Sequence, residues 1–140
     1  MDIFTDGSSL GNSRTSKAGW ACYWPKYKLL RSGFLIGTNN VAELRAIDYA
    51  LWYTKTKLIE EAFIVKNVTI FTDSQYAIDV ITGKKKSHVN LDLLERIKSH
   101  TEELAANEIR VAYAHVRGHA DCEENNIVDT EARRRATKGE

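Results

Sequence analysis

The apolar positions of this chain change period several times, and those changes divide it into elements. Residues 2–5, 18–24 and 28–36 are short apolar or alternating stretches, separated by Gly/Ser/Asn and Pro/Lys turns, and predict three neighbouring strands in a meander. Across 41–58 the period lengthens: Leu44, Ile47, Leu51 and Leu58 fall on one helical face, with Asn40 placed as the N-cap. A short strand follows at 68–72, then a helix at 74–81 that Gly83 stops. A further amphipathic helix at 91–104 presents Leu91, Leu94, Ile97 and Leu104, and a strand at 109–116 leads through Arg117-Gly118-His119 into a last helix at about 125–136. The order β-β-β-α-β-α-α-β-α predicts an α/β domain. Its sheet is mixed and five-stranded, three strands antiparallel and then two parallel, with helices flanking it.

Composition narrows the class without naming a function. A chain of 140 residues, 43% apolar and 28% charged, fits one globular domain over residues 1–140 with a real core. One proline and eight glycines leave no room for a low-complexity linker. The first residues have no basic segment leading into an apolar one, and no apolar run is long enough to span a bilayer, so an intracellular protein is expected. Cys22 and Cys122 lack paired-ligand spacing and read as free thiols rather than a disulfide or zinc framework. Met1 directly before the first strand suits a stand-alone protein or a trimmed piece of a longer one.

The net charge of +1 says little, but its distribution adds something. Lys84, Lys85 and Lys86 with His88 form one basic cluster, and Arg133, Arg134 and Arg135 with Lys138 form another. Either can meet phosphates. Either can also be solvated surface, and cations in the second would meet a helix C-terminal dipole.

The chemistry concentrates in carboxylates. Ile-Phe-Thr-Asp occurs at residues 3–6 and again at 70–73, each time as an apolar strand ending in aspartate. If the two strands pair, about 4.8 Å apart, Asp6 and Asp73 meet at the strand ends, where open α/β sheets gather their ligand sites. Two such carboxylates repel unless one is protonated or a cation lies between them, and oxygen-only ligands suit Mg²⁺ or Mn²⁺. A second account is open: Asp6 forms an Asx turn into Gly7-Ser8 and Asp73 starts the following helix. Glu43, three residues past the proposed cap on the first turn of its helix, reads on spacing alone as the partner of the cap residue in a capping box. Asp129, in the first turns of the last helix, suits the helix dipole in any case.

In sequence order, Phe4-Thr5-Asp6-Gly7-Ser8, Thr38-Asn39-Asn40 leading to Ala42-Glu43-Leu44, Thr72-Asp73-Ser74-Gln75-Tyr76, and His115-Val116-Arg117-Gly118-His119-Ala120 leading to Asn125 and Asp129 resemble the successive motifs of type 1 ribonuclease H. Together they cover nearly the whole chain. The resemblance implies the ribonuclease H-like fold and endonucleolytic cleavage of the RNA strand of RNA/DNA hybrids, leaving 5′-phosphate and 3′-hydroxyl ends. It implies two Mg²⁺ ions, replaceable by Mn²⁺, held by Asp6, Glu43, Asp73 and Asp129. His119 would shuttle a proton, a role imidazole suits near neutral pH, and His115 would be structural. Asn12, Asn39 and Gln75 would meet groove and sugar hydroxyls and Thr38 a DNA phosphate, with turn and cap roles as their alternative.

The chain also departs from the family. A basic, tryptophan-bearing protrusion common in cellular members is absent or vestigial between Gly83 and Leu91, and Lys84, Lys85 and Lys86 would partly replace it through phosphate attraction. Two further readings stay open: a catalytically silent hybrid-binding module, and a nuclease domain derived from a reverse transcriptase. A monomer is expected.

Overall fold

The computed structural model describes residues 1–117 and 122–140, so the sequence-predicted His119 lies outside the described residues. Strands β1 (Asp2–Ser9), β2 (Lys17–Trp24) and β3 (Leu29–Ile36) form the antiparallel meander, with a one-turn 3₁₀ helix, Pro25–Tyr27, before β3. Then come α1 (Asn39–Lys57), α2 (Ile59–Val65), β4 (Asn67–Thr72), α3 (Gln75–Ile81), α4 (Leu91–Ala106), β5 (Arg110–His115) and α5 (Glu123–Lys138). The sheet order is β3-β2-β1-β4-β5, antiparallel among the first three and parallel across β1-β4 and β4-β5. The mixed five-stranded sheet read from the sequence is therefore the one found.

Alternation along the strands builds two cores. Ile3, Cys22, Trp24 and Ile70 point to the side covered by α1 and α4, where Leu44, Ile47, Leu51, Ile97 and Leu104 complete the larger cluster. Phe4 and Ala21 point the other way, onto Val128 and Ala132 of α5. Phe4 stacks on Phe71 with ring centroids 4.6 Å apart, the aromatic pair that the two Ile-Phe-Thr-Asp segments bring together. Both cysteines are free thiols, and Cys22 is buried and donates to the carbonyl of Ala46.

Several boundaries differ from the sequence reading. The N-cap of α1 is Thr38, not Asn40: Thr38 has extended backbone, and its Oγ1 accepts the Val41 N–H at 3.2 Å, so Asn40 already lies inside the helix. Helix α2 was not predicted, because 58–66 lacks a glycine or proline break and its seven residues bury only Ala62. Leu58 is the C-cap of α1 and packs, partly buried, against the same core as Leu44, Ile47 and Leu51. Leu91, the first residue of α4, is 58% exposed and stands outside the buried stripe. Ser74 is the N-cap of α3, its Oγ accepting the Ala77 N–H at 3.0 Å, and Gly83 follows the helix at φ +80°, as its stop requires. Helix α5 begins at Glu123, a little before the expected residue 125. Residues 82–90 join α3 to α4 directly, without a protruding helix.

Candidate metal centre

The two repeated tetrapeptides lie side by side in register, with Ile3 opposite Ile70 and Phe4 opposite Phe71. Continuing that register places Asp6 beside Asp73 where β4 ends, while β1 runs on to Ser9 against β2. Asp6 is thus not at a strand terminus. It sits where β1 loses its parallel neighbour, and the gap left there is filled by the start of α1.

Gly7 makes that approach possible: a β-carbon there would overlap the backbone of Ala42 and Glu43. Its N–H donates to Glu43 Oε1 at 3.0 Å and to Asp6 Oδ1 at 2.9 Å. Thr72 Oγ1 donates to Glu43 Oε2 at 3.4 Å. Glu43 is therefore aimed into the site by β1 and β4, and no capping-box bond to its own helix start is formed among the described residues. Asp73 is held from behind, its backbone carbonyl accepting from His115 Nε2 at 3.2 Å.

Asp6, Glu43 and Asp73 offer carboxylate oxygens that all lie within 4.8 Å of one another. Asp6 is 2% and Glu43 6% exposed, whereas Asp73 is partly open to solvent. Burial pushes the Asp6 carboxyl up to about 8, a hydrogen bond to Glu43 pulls it back in part, and the charges of Asp73 and Asp129 push it further up. Glu43 is raised well above the usual carboxylate range by burial and then by the charge of Asp6. Burial also raises Asp73, with Asp129 adding to it. Three such acids do not all ionise unaided; protonation or a divalent cation with oxygen preference would relieve them.

Asp129 stands apart from the trio. It lines the same open cavity of about 670 Å³, but its Oδ1 accepts from Arg133 Nε one turn further along α5, at 3.1 Å. The cavity wall also includes Asn39, Asn40 and Arg133. Arg133 was legible only as part of a basic cluster; its spacing of four from Asp129 was the signal for its place here. The neighbouring cations of that cluster are engaged too: Arg134 with Glu131, and Arg135 with Ser32.

The structure also joins Asn12 to Asn39. Asn12, at φ +50°, accepts the Asn39 N–H on its Oδ1 at 3.0 Å, and Asn39 Oδ1 accepts the Ser9 N–H at 2.6 Å. Ser9 closes the network by donating to the Gly37 carbonyl, a part the sequence reading missed. Thr38 is engaged as a cap. Gln75 is exposed at the start of α3, its Nε2 donating to the buried Asp79 at 2.9 Å. Lys84, Lys85 and Lys86 are exposed beyond the end of α3, with Lys85 3.7 Å from Asp79.

Clustered acids at the point where an antiparallel sheet becomes parallel define a site suited to cation-assisted chemistry. A family model described as RNase H matches residues 1–137. The ribonuclease H of Haemophilus influenzae is 31% identical, covering 97% of this chain and 89% of its own length. That of Oleidesulfovibrio alaskensis is 32% identical, covering 99% and 92%. Two solved structures share the fold: LC11-RNase H1 from compost, with a TM-score of 0.73 at 22% identity over 98% of this chain and 95% of that one, and the N-terminal RNase H domain of a Mycobacterium tuberculosis protein, with 0.72 at 20% over 99% and 95%. The chain belongs to the ribonuclease H family. It is a nuclease of the hydrolase class, and among its described residues no helix is long and apolar enough to cross a membrane.

Proposed function

We propose that this protein cleaves the RNA strand of RNA/DNA hybrids internally, leaving 5′-phosphate and 3′-hydroxyl ends, and that it does so as a monomeric single domain inside the cell. The observation that carries the reading is the packing of Asp6, Glu43 and Asp73 within 4.8 Å, each acid raised by burial. That donor set, all oxygen and all strained when ionised, fits Mg²⁺ or Mn²⁺, with Asp129 as the fourth ligand. When bound, two such ions activate the attacking water and stabilise the leaving 3′ oxygen.

The chain's own residues prepare the site. Gly7 and Thr72 fix the rotation of Glu43, and His115 fixes the turn that carries Asp73. Asp129, which lines the same cavity and is held by Arg133, would be the fourth residue to hold the metal, and Arg133 would supply a cation for a substrate phosphate there. His119 carries a proton to or from the leaving group. Asn12 and Asn39 present their remaining amide groups to the minor groove, Thr38 to a DNA phosphate and Gln75 to sugar edges, while Lys84, Lys85 and Lys86 attract the backbone.

Cleavage of labelled RNA/DNA hybrid beside RNA/RNA, DNA/DNA and single-stranded RNA, each with Mg²⁺, Mn²⁺ or EDTA, tests this. Metal-dependent cutting of the hybrid's RNA alone is expected, and Asp73→Asn should lower turnover by at least about a thousandfold while the fold persists, in line with loss of metal-assisted charge stabilisation. Wild-type turnover in Asp73→Asn would overturn the metal assignment. Hybrid binding without cutting under every metal condition would make the protein a silent binding module.

A further inference from the structure

The side of α1 turned away from Glu43 carries charged and aromatic side chains that hydrolysis does not use. Arg45, Asp48, Tyr49 and Trp52 follow one another at i, i+3, i+4 and i+7, a single helical stripe, and at about 100° per residue that stripe lies opposite Glu43. It borders a groove of about 400 Å³, closed on one side by Trp20, Gly33 and Phe34 of the β2-β3 hairpin and on the other by Arg96 of α4. That is the size of a small-ligand pocket rather than a duplex channel.

The groove is organised by one buried carboxylate. Asp48, with its side chain 3% exposed, accepts Arg96 Nε at 3.3 and 3.2 Å and meets His100 Nε2 at 3.0 Å, and Arg45 Nη1 stands 3.7 Å away. Two guanidiniums against one carboxylate leave the rim positive. The arginine side chains are 47% and 55% exposed, and each has more N–H donors than Asp48 can occupy. The wall is aromatic and stiff: Tyr49 packs on Trp20 at 4.6 Å and on Trp52 at 5.5 Å between ring centroids, and Trp52 keeps 36% of its surface open.

Forked cations beside flat ring faces match a nucleotide, whose base stacks and whose phosphate takes bidentate N–H donors. We propose that this groove binds a single-stranded nucleic-acid segment, a base lying against Trp52 and Tyr49 and the adjoining phosphate bridging Arg45 and Arg96. An acidic peptide would engage the same cations but would leave the planar faces without a planar partner. Because the groove and the carboxylates occupy opposite faces of α1, the bound strand is not the scissile one. It is an unpaired stretch beside the duplex that the protein cuts.

The test needs neither metal nor ribonucleotide, so it is separable from failure of the hydrolytic reading. A labelled oligothymidylate of about ten nucleotides, within the site sizes of single-strand grooves, is titrated in EDTA by anisotropy and by quenching of tryptophan fluorescence. Arg45→Ala and Trp52→Ala should each weaken binding about tenfold. Arg45→Ala should also lower the salt slope by about 0.7. Trp52→Phe, which keeps a ring, should bind yet lose most of the quenching, a readout independent of the alanine variants. Cleavage of a blunt hybrid should be unchanged in all three. No oligonucleotide binding, or binding equal to wild type in both alanine variants, would overturn the proposal. So would capture of an acidic peptide but not the oligonucleotide, which would assign the groove to a protein partner.

Discussion

Asp6 carries a sharp electrostatic conflict. Its carboxyl moves from 3.8 when solvated to about 8 in the fold, chiefly through burial, with hydrogen bonding to Glu43 opposing and the charges of Asp73 and Asp129 adding to the rise. A folded-state value above the unfolded one means the metal-free fold binds the proton more tightly. Its contribution to stability is full below about pH 4 and is lost as the pH rises through 8. A divalent cation held there would remove that loss by taking the proton's place, so its binding should release protons and should stabilise more at high pH. The melting temperature of EDTA-treated protein is therefore expected to be lower at pH 9 than at pH 6, by about 5 °C or more. Added Mn²⁺ should raise it further at pH 9 than at pH 6. Asp6→Asn should flatten both trends, and equal metal-induced shifts at the two pH values would contradict the linkage. At this scale the sequence was informative about which acids the fold gathers and silent about how they differ. The repeated Ile-Phe-Thr-Asp drew attention to Asp6 and Asp73, but that Arg133 holds Asp129 outside the trio depends on rotamers no motif encodes.

Between elements, one contact decides whether those acids meet. Helix α1 lies on Gly7 so closely that any side chain there collides with the backbone of Ala42 and Glu43. Gly7→Ala is expected to cost about 3 kcal/mol of stability, as overpacking against a rigid helix does. It should cost activity beyond that, because the Gly7 N–H that fixes Glu43 moves with the strand. Urea unfolding gives the first quantity, and turnover under saturating metal at low temperature, where the variant is still folded, gives the second; unchanged turnover would show that Glu43 needs no such aiming. Periodicity exposed the helices well because their buried stripes are long, as in Leu44, Ile47 and Leu51. It failed at ends. Thr38 rather than Asn40 caps α1 because the chain is still extended at Thr38 as it leaves β3, a fact of tertiary path and not of local composition. Helix α2 escaped notice because Ile64, 80% exposed, and Phe63, 50% exposed, carry its apolar character outward.

For the molecule as a whole, topology was more legible than surface. Two identical apolar segments pairing in parallel register, flanked by a meander and by crossover helices, leave few sheets to choose from, and β3-β2-β1-β4-β5 is one of them. How the nearly neutral protein, at +1, attracts a polyanion is not written in its total charge. Lys84, Lys85 and Lys86 sit together on the exposed connection after α3, and only Lys85 has an acidic neighbour, Asp79 at 3.7 Å, among the contacts described. None of the three pairs with Asp6, Glu43, Asp73 or Asp129 among the contacts described, so their expected action on substrate is through its phosphates. Replacing all three with alanine should raise KM for the hybrid about tenfold at moderate salt and lower the slope of log affinity against log salt by about 2 to 3. The turnover number should stay put, since the metal ligands are untouched. A fall in kcat with KM preserved would mean that the segment shapes the site through α3 and Asp73 instead, and the lysines would then be read as part of the α3 scaffold rather than as a phosphate-attracting arm.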